Sequence, residues 1–133
     1  MSLLGRIALA SAHFETAEAL LAESQRGLER KLGRRHASTI EAKRWLAGCQ
    51  YQNGEAQKAL QTVEVAIVSA SAIPKGHWRL AALHGLKGRC LDAIGRRDEA
   101  QPELEAAIAS LRATLGPLHP ETLRVANALR RVP

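Results

Sequence analysis

Residues 46–60 read LAGCQYQNGEAQKAL, and residues 87–101 repeat the same arrangement of small residues in KGRCLDAIGRRDEAQ. The clearest equivalent position, here called a phase of the repeat, is occupied by Ala17, Ala59 and Ala100, which are 42 and 41 residues apart. Agreement at several phases over three copies indicates an internal repeat, and a period of this length is typical of stacked structural units. Four other phases also keep one type of residue in all three copies. Two hold small residues (Gly5, Ala47, Gly88 and Ser24, Ala66, Ala107), one holds aliphatic residues (Leu21, Val63, Leu104) and one holds histidine (His36, His77, His119).

Each repeat is predicted to be a pair of helices. Apolar residues between positions 55 and 71 recur with the i, i+3, i+4, i+7 spacing of one helix face. Asn53-Gly54 and Gly95 mark tight turns at the same phase. Aromatic residues make up only 3% of the chain while Ala and Leu are abundant, which favours packed helices over a β-sandwich. We therefore expect an all-α chain of seven helices, at about 2–11, 14–31, 38–52, 56–71, 77–94, 98–114 and 120–131.

The predicted helix ends have local signals. Pro120 suits the first turn of a helix, where its missing N–H has no intrahelical acceptor. Gly33 and Gly116 are placed to close helices, because glycine accepts a left-handed conformation without steric cost. At the repeated small residues, two helix axes can approach to the short end of the usual range of about 8–10 Å.

These features resemble the tetratricopeptide repeat family. The resemblance rests on Leu4-Gly5, Leu46-Ala47 and Gly88, each followed by the alanine of the clearest phase. The family's common repeat has about 34 residues. The longer period here, the run LGPLHPET at 115–122 and Ala100-Gln101-Pro102 are similar to the kinesin-light-chain type. Lys43 and Lys87 depart from the family, which usually places large apolar residues there.

The resemblance implies an α-α superhelix, a right-handed solenoid of antiparallel helix pairs whose first helices line a concave groove. We expect one array, with a partial repeat at 1–33, repeats at 34–74 and 75–116, and a partial repeat at 117–133. Because the first and last units are incomplete, we interpret the chain as a fragment of a longer protein. In bacteria, arrays of this family occur as regulatory extensions of signalling proteins, including serine/threonine kinases.

Catalytic and metal-dependent functions are disfavoured. The sequence has no G-x-S-x-G, no phosphate-binding G-x-x-x-x-G-K-[ST] and no H-E-x-x-H motif, so we expect neither an enzyme nor a cofactor. His36, His77 and His119 recur once per repeat, too far apart to meet on one metal ion, and are interpreted as helix-start residues. Cys49 and Cys90 also share a phase and are predicted to be small buried side chains rather than a disulfide.

The predicted binding surface is the groove-facing side of the first helices. In 39–52, Leu46, Ala47 and Gln50 fall on one side of the helix and the polar and aromatic residues on the other. An arginine beside aromatic rings can pair with a carboxylate while apolar ligand groups rest on the rings. We therefore predict a protein or peptide partner, acidic or mixed acidic and apolar. The candidate binding residues are Arg6, Glu41, Arg44, Trp45, Tyr51, Gln52, Arg89, Arg124 and Asn127.

Two other functions stay open. The net charge of +6 and the basic cluster at 26–35 allow nucleic-acid binding, although stacking aromatic residues are missing near the cluster. Self-association through exposed array ends is the other, driven by apolar residues at 7–10 and 125–129. The sequence contains no apolar run long enough to span a membrane. Two cysteines without a disulfide framework fit a reducing compartment, so we predict a cytoplasmic protein.

Overall fold

The computed structural model describes residues 3–74 and 76–131, with side chains from residue 15 onward. These ranges contain six helices and no strand, which confirms the prediction of an all-α chain. The helices are α1 (Leu3–Leu32), α2 (Ala37–Gln52), α3 (Ala56–Ser69), α4 (Trp78–Ala93), α5 (Arg97–Thr114) and α6 (Pro120–Arg131).

The prediction of seven helices is wrong because the first two are one continuous helix, α1. In the later copies the turn contains Gly54 or Gly95, with φ angles of +82° and +86°. Ala12 stands at that phase in the first copy. Alanine is the strongest helix former and disfavours positive φ, so nothing at this position stops the helix.

Histidine begins a helix in all three copies. The Nδ1 atom of His36 accepts a hydrogen bond from the backbone N–H of Ser38, and His77 does the same for Arg79. His119 accepts from the N–H of Glu121, and each of the three distances is 3.1 Å. These bonds satisfy an N–H that the helix start would otherwise leave unpaired. The interpretation of these residues as helix-start residues is confirmed.

The core forms where small residues allow close helix contact. Ala47, Ala59 and Ala100 are fully buried. A Cβ atom added to Gly88 would lie 2.7 Å from Cγ of Leu104, so α4 and α5 approach closely only because Gly88 has no side chain. Lys43 of α2 is buried, and its Nζ lies 3.8 Å from a carboxylate oxygen of Glu29 in α1.

Helix contacts follow the order of the chain. Each helix contacts the next one, and α4 also contacts α2 and α6. Side-chain contacts join two further pairs of helices, since Arg44 of α2 lies 3.0 Å from Glu121 of α6 and Lys58 of α3 lies 3.6 Å from Glu18 of α1. Helices α2, α4 and α6 therefore lie side by side, with α3 packed against α2 and α4, and α5 packed against α4 and α6.

Candidate functional site

A cleft of about 290 Å³ opens between α1, α2, α4 and α6. Five of the predicted binding residues line it, and small and aliphatic side chains supply most of its walls. The predicted residues are Arg44, Trp45, Gln52, Arg89 and Arg124; the others are Ala17, Leu21, Gly48, Cys49, Ala82, Leu86, Glu121 and Val125.

Arg44 is the centre of a charge network at one side of the cleft. Its Nε donates to Glu41 Oε1 at 2.9 Å, and its Nη1 donates to Glu121 Oε1 at 3.0 Å. Burial works against the charged guanidinium, but the hydrogen bonds and charges of Glu41 and Glu121 outweigh it and raise the pKa of Arg44 above its ordinary value. Arg44 therefore stays charged, and the protein's own carboxylates already use that charge.

The rings of two tryptophans lie next to Arg44 in this network. The Arg44 guanidinium lies 5.0 Å from the ring centroid of Trp45 and 5.8 Å from that of Trp78. Arg79 lies 5.3 Å from the Trp78 ring, and its Nε is 3.5 Å from Glu41. Trp45 remains 55% exposed and presents an apolar face at the cleft.

Glu121 is the residue that the sequence interpretation missed. Its Oε1 accepts from both Arg44 and Arg124, the latter at 2.8 Å, and its side chain is only 16% exposed. From the sequence, Glu121 has a carboxylate suited to the positive end of a helix dipole. No local pattern links it to Arg44, which is 77 residues away along the chain.

Arg89 differs from Arg44 in the groups that lie next to its guanidinium. Its guanidinium lies 4.6 Å from the ring centroid of Tyr51. Among the residues that the structure describes, no carboxylate oxygen comes within 4.0 Å of it. Stacking on Tyr51 leaves the edge of the guanidinium available for a planar, two-point contact with a carboxylate.

The remaining predicted residues are placed less centrally. Glu41 lies beside the cleft and pairs with Arg44, while Tyr51 supports Arg89. Asn127 is exposed outside the cleft lining, where its Oδ1 accepts from Arg130 at 3.4 Å. Arg6 lies in α1, but its side chain is outside the described residues. The cleft thus brings together most of the predicted set, with Arg44 and Arg124 paired to Glu121 and with Arg89 lacking a carboxylate partner among the described residues.

One predicted surface and one predicted buried residue differ from expectation. The apolar end at 125–129 is not bare, because Val125 and Ala128 are buried against the core. The side chains of residues 7–10 lie outside the described part of the chain. Cys90 is buried as predicted, whereas Cys49 is only half-buried at the cleft wall.

The basic cluster at 26–35 surrounds the end of α1, with Arg34 and Arg35 exposed in the turn that follows. Arg34 and Arg35 also line a depression with Glu64, Val65, Val68 and Ser69 of α3, and aromatic residues are absent from that lining. In the part of the chain with described side chains, no group of three or more His, Cys, Asp or Glu residues could hold a metal ion. None of the helices in the described ranges has both the length and the apolar character that crossing a bilayer requires.

Comparison of the chain with protein-family models finds no match, and comparison with curated proteins finds none either.

Proposed function

We propose that the protein is a peptide-binding module built as a tetratricopeptide-like solenoid of helix pairs. The cleft between α1, α2, α4 and α6 takes a segment of a partner protein that combines apolar side chains with a carboxylate. Arg89 binds the carboxylate, and Leu86 and Val125, on the α4 and α6 side of the cleft, contact the apolar groups.

The observation that carries this proposal is the guanidinium of Arg89 on Tyr51, which has no carboxylate partner among the described residues and lies in a cleft with mostly apolar walls. A charge that the protein's own groups do not neutralise favours a ligand of opposite sign, and apolar walls favour side chains that lose water on binding. The contacts of α4 with both α2 and α6 support the solenoid, because stacked helix pairs bring their first helices side by side.

The test uses three short fluorescein-labelled peptides, composed of Glu and Leu, Gln and Leu, or Lys and Leu, with binding followed by fluorescence anisotropy. We expect the Glu/Leu peptide to bind most tightly. Arg89→Gln should weaken its binding about 10-fold or more, the effect of losing a hydrogen bond to a charged group.

Arg112→Gln is the matched control, because Arg112 is exposed on α5, away from the cleft, and its loss changes the net charge equally. Equal weakening by both substitutions, or equal binding of all three peptides, would contradict the proposal. Arg44 is a poor choice for this test because its removal disturbs Glu41 and Glu121. Tight, steeply salt-dependent binding of random-sequence DNA without peptide binding would instead favour a nucleic-acid function.

A further inference from the structure

The repeat defines a place for a helix between α1 and α2. Helix α2 contacts the next two helices, α3 and α4, and α4 likewise contacts α5 and α6. The first helix of each pair therefore lies in the groove formed by the two helices that follow it. Helices α1 and α2 are the preceding members of the same series, so the groove between them is equivalent to the grooves that α2 and α4 fill.

That groove is uncovered. Trp45 is 55% exposed, whereas Leu86, at the same phase of α4, is 6% exposed. Ala17 and Leu21 are half-buried and line the cleft, while their equivalents in α3 and α5 are fully buried. The buried equivalents are Ala59, Val63, Ala100 and Leu104.

The segment that the repeat assigns to this groove is residues 3–11. Gly5 stands at the phase of Ala47 and Gly88, the small residues through which α2 and α4 contact their partner helices. The structure places residues 3–11 in line with the rest of α1, so the same chain cannot fold them back over Ala17 and Leu21 without breaking the helix.

The length of α1 carries this segment past the end of α2. At 1.5 Å per residue, the 30 residues of α1 span about 45 Å and the 16 residues of α2 about 24 Å. Among the described residues, α1 packs along α2, and Glu18 of α1 pairs with Lys58 of α3 at 3.6 Å. About half of α1 therefore extends past its neighbour, and the extending part has the apolar sequence LLGRIALA at 3–10.

We propose that residues 3–11 of a second copy of this chain fill the groove between α1 and α2, and that the two copies exchange these segments reciprocally. Each copy has one groove and one extended segment, so the exchange closes with two-fold symmetry and leaves neither unpaired. Arg6 shares the phase of Arg89, so the exchange adds an arginine of the second copy to the cleft region. The proposal does not depend on the cleft binding a peptide.

A cysteine pair tests the contact directly. Gly88 and Leu104 are in close contact, and the equivalent residues are Gly5 and Leu21. In a Cys49→Ala background, Gly5→Cys with Leu21→Cys should form a disulfide under mild oxidation. Within one continuous helix these positions are about 24 Å apart, beyond disulfide reach. A covalent dimer on a non-reducing gel is the expected result.

The other outcomes overturn the exchange. A disulfide-bonded monomer would show that residues 3–11 fold back within their own chain, and the absence of a disulfide would show that they do not enter the groove. Gly5→Cys with Leu20→Cys is the matched control, because Leu20 is 62% exposed and does not line the cleft, and it should stay monomeric.

Light scattering of the unaltered chain gives a second measurement that needs no cysteine pair. We expect a mass twice the 14.4 kDa of one chain, and a monomer throughout a dilution series would overturn the proposal. Ser11→Asn with Ala12→Gly recreates the Asn53-Gly54 turn in α1, so it should let the segment close within its own chain and convert the dimer to a monomer. An unchanged dimer would contradict the exchange of residues 3–11. Fluorescence anisotropy with Arg89→Gln measures peptide binding, whereas light scattering and the cysteine pair measure dimer formation. The failure of one proposal is therefore distinguishable from the failure of the other.

Discussion

Cys90 shows what burial does to a single side chain. Its thiol is fully enclosed in the core, and this burial raises its pKa to about 12, with only a small opposing effect from the charge of Arg89. Cys49, at the cleft wall, also has a raised pKa because of burial and the nearby carboxylates of Glu18 and Glu55. Burial therefore suppresses the thiolate form of both side chains.

The raised pKa of Cys90 predicts a loss of stability at alkaline pH. The unfolded thiol ionises near its ordinary pKa of about 8.5–9, while the folded thiol stays neutral. The contribution of the neutral, buried thiol to the free energy of unfolding is therefore fully present below about pH 9. It decreases by about 1.4 kcal/mol per pH unit as the pH rises towards 12. Urea unfolding of the unaltered chain and of Cys90→Ala between pH 8 and about pH 10.5 measures this. The stability difference between them should shrink as the pH rises, and parallel pH profiles would refute the prediction.

The arginines show where residue-level prediction reaches its limit. Arg44 and Arg89 have the same residue type and similar settings in the repeat, so the sequence treats both as ligand-binding groups. Only the fold reveals that Glu121 approaches Arg44 and that Tyr51 alone, among the described residues, lies under Arg89. Pairing across 77 residues depends on how α6 packs, which no local pattern contains.

At the level of elements, local signals predicted most helices well. The turn glycines, Pro120 and the three histidines lie at helix boundaries, as their spacing indicates. Helix α1 is the exception, since repeat phase predicts a turn where Ala12 lacks the chemistry to make one. A repeat therefore predicts equivalent positions, but each turn still depends on its own residues.

Helix packing at Gly88 gives a prediction for α4 and α5. Gly88→Ala puts a methyl group 2.7 Å from Cγ of the fully buried Leu104, which has little room to move. Overpacking costs about 1–3 kcal/mol, against a gain of about 1 kcal/mol in helix propensity. We expect a net destabilisation of up to roughly 2 kcal/mol in urea unfolding.

Gly27→Ala is the matched control for Gly88→Ala. Gly27 lies within α1, and a Cβ atom there meets nothing within 4 Å. This substitution should stabilise the protein by about 0.5–1 kcal/mol through helix propensity. If both substitutions stabilise the protein, close packing at Gly88 does not limit the approach of α4 and α5.

At the level of the whole molecule, Arg44 joins elements that are distant in sequence. It connects α2 to the first turn of α6 through Glu121, and both side chains are largely buried, with 11% and 16% exposure. Arg44→Ala removes one of two cationic partners from each carboxylate, which leaves Glu41 with Arg79 and Glu121 with Arg124. We expect a loss of roughly 2–3 kcal/mol in urea unfolding, below the 3–5 kcal/mol typical of a fully buried pair.

Arg96→Ala provides the comparison for Arg44→Ala. Arg96 is the residue before α5 and pairs with Glu99 in the first turn of that helix, where both side chains lie in solvent, so its loss should change stability far less. Equal effects of the two substitutions would mean that Arg44 does not connect α2 and α6 energetically. A double-mutant cycle of Arg44→Ala with Glu121→Gln separates their coupling from other contacts of either residue.

Helix α4 contacts four of the five other helices that the structure describes. A partial opening that starts at α1 or α6 removes contacts with fewer neighbours, whereas exposing the backbone of α4 requires nearly every packed surface to separate. The free energy needed to open a helix is therefore highest in the middle of the chain and decreases towards both ends. Deuterium should replace the amide hydrogens of α4 last, at a rate set by global unfolding, and those of the outer helices sooner.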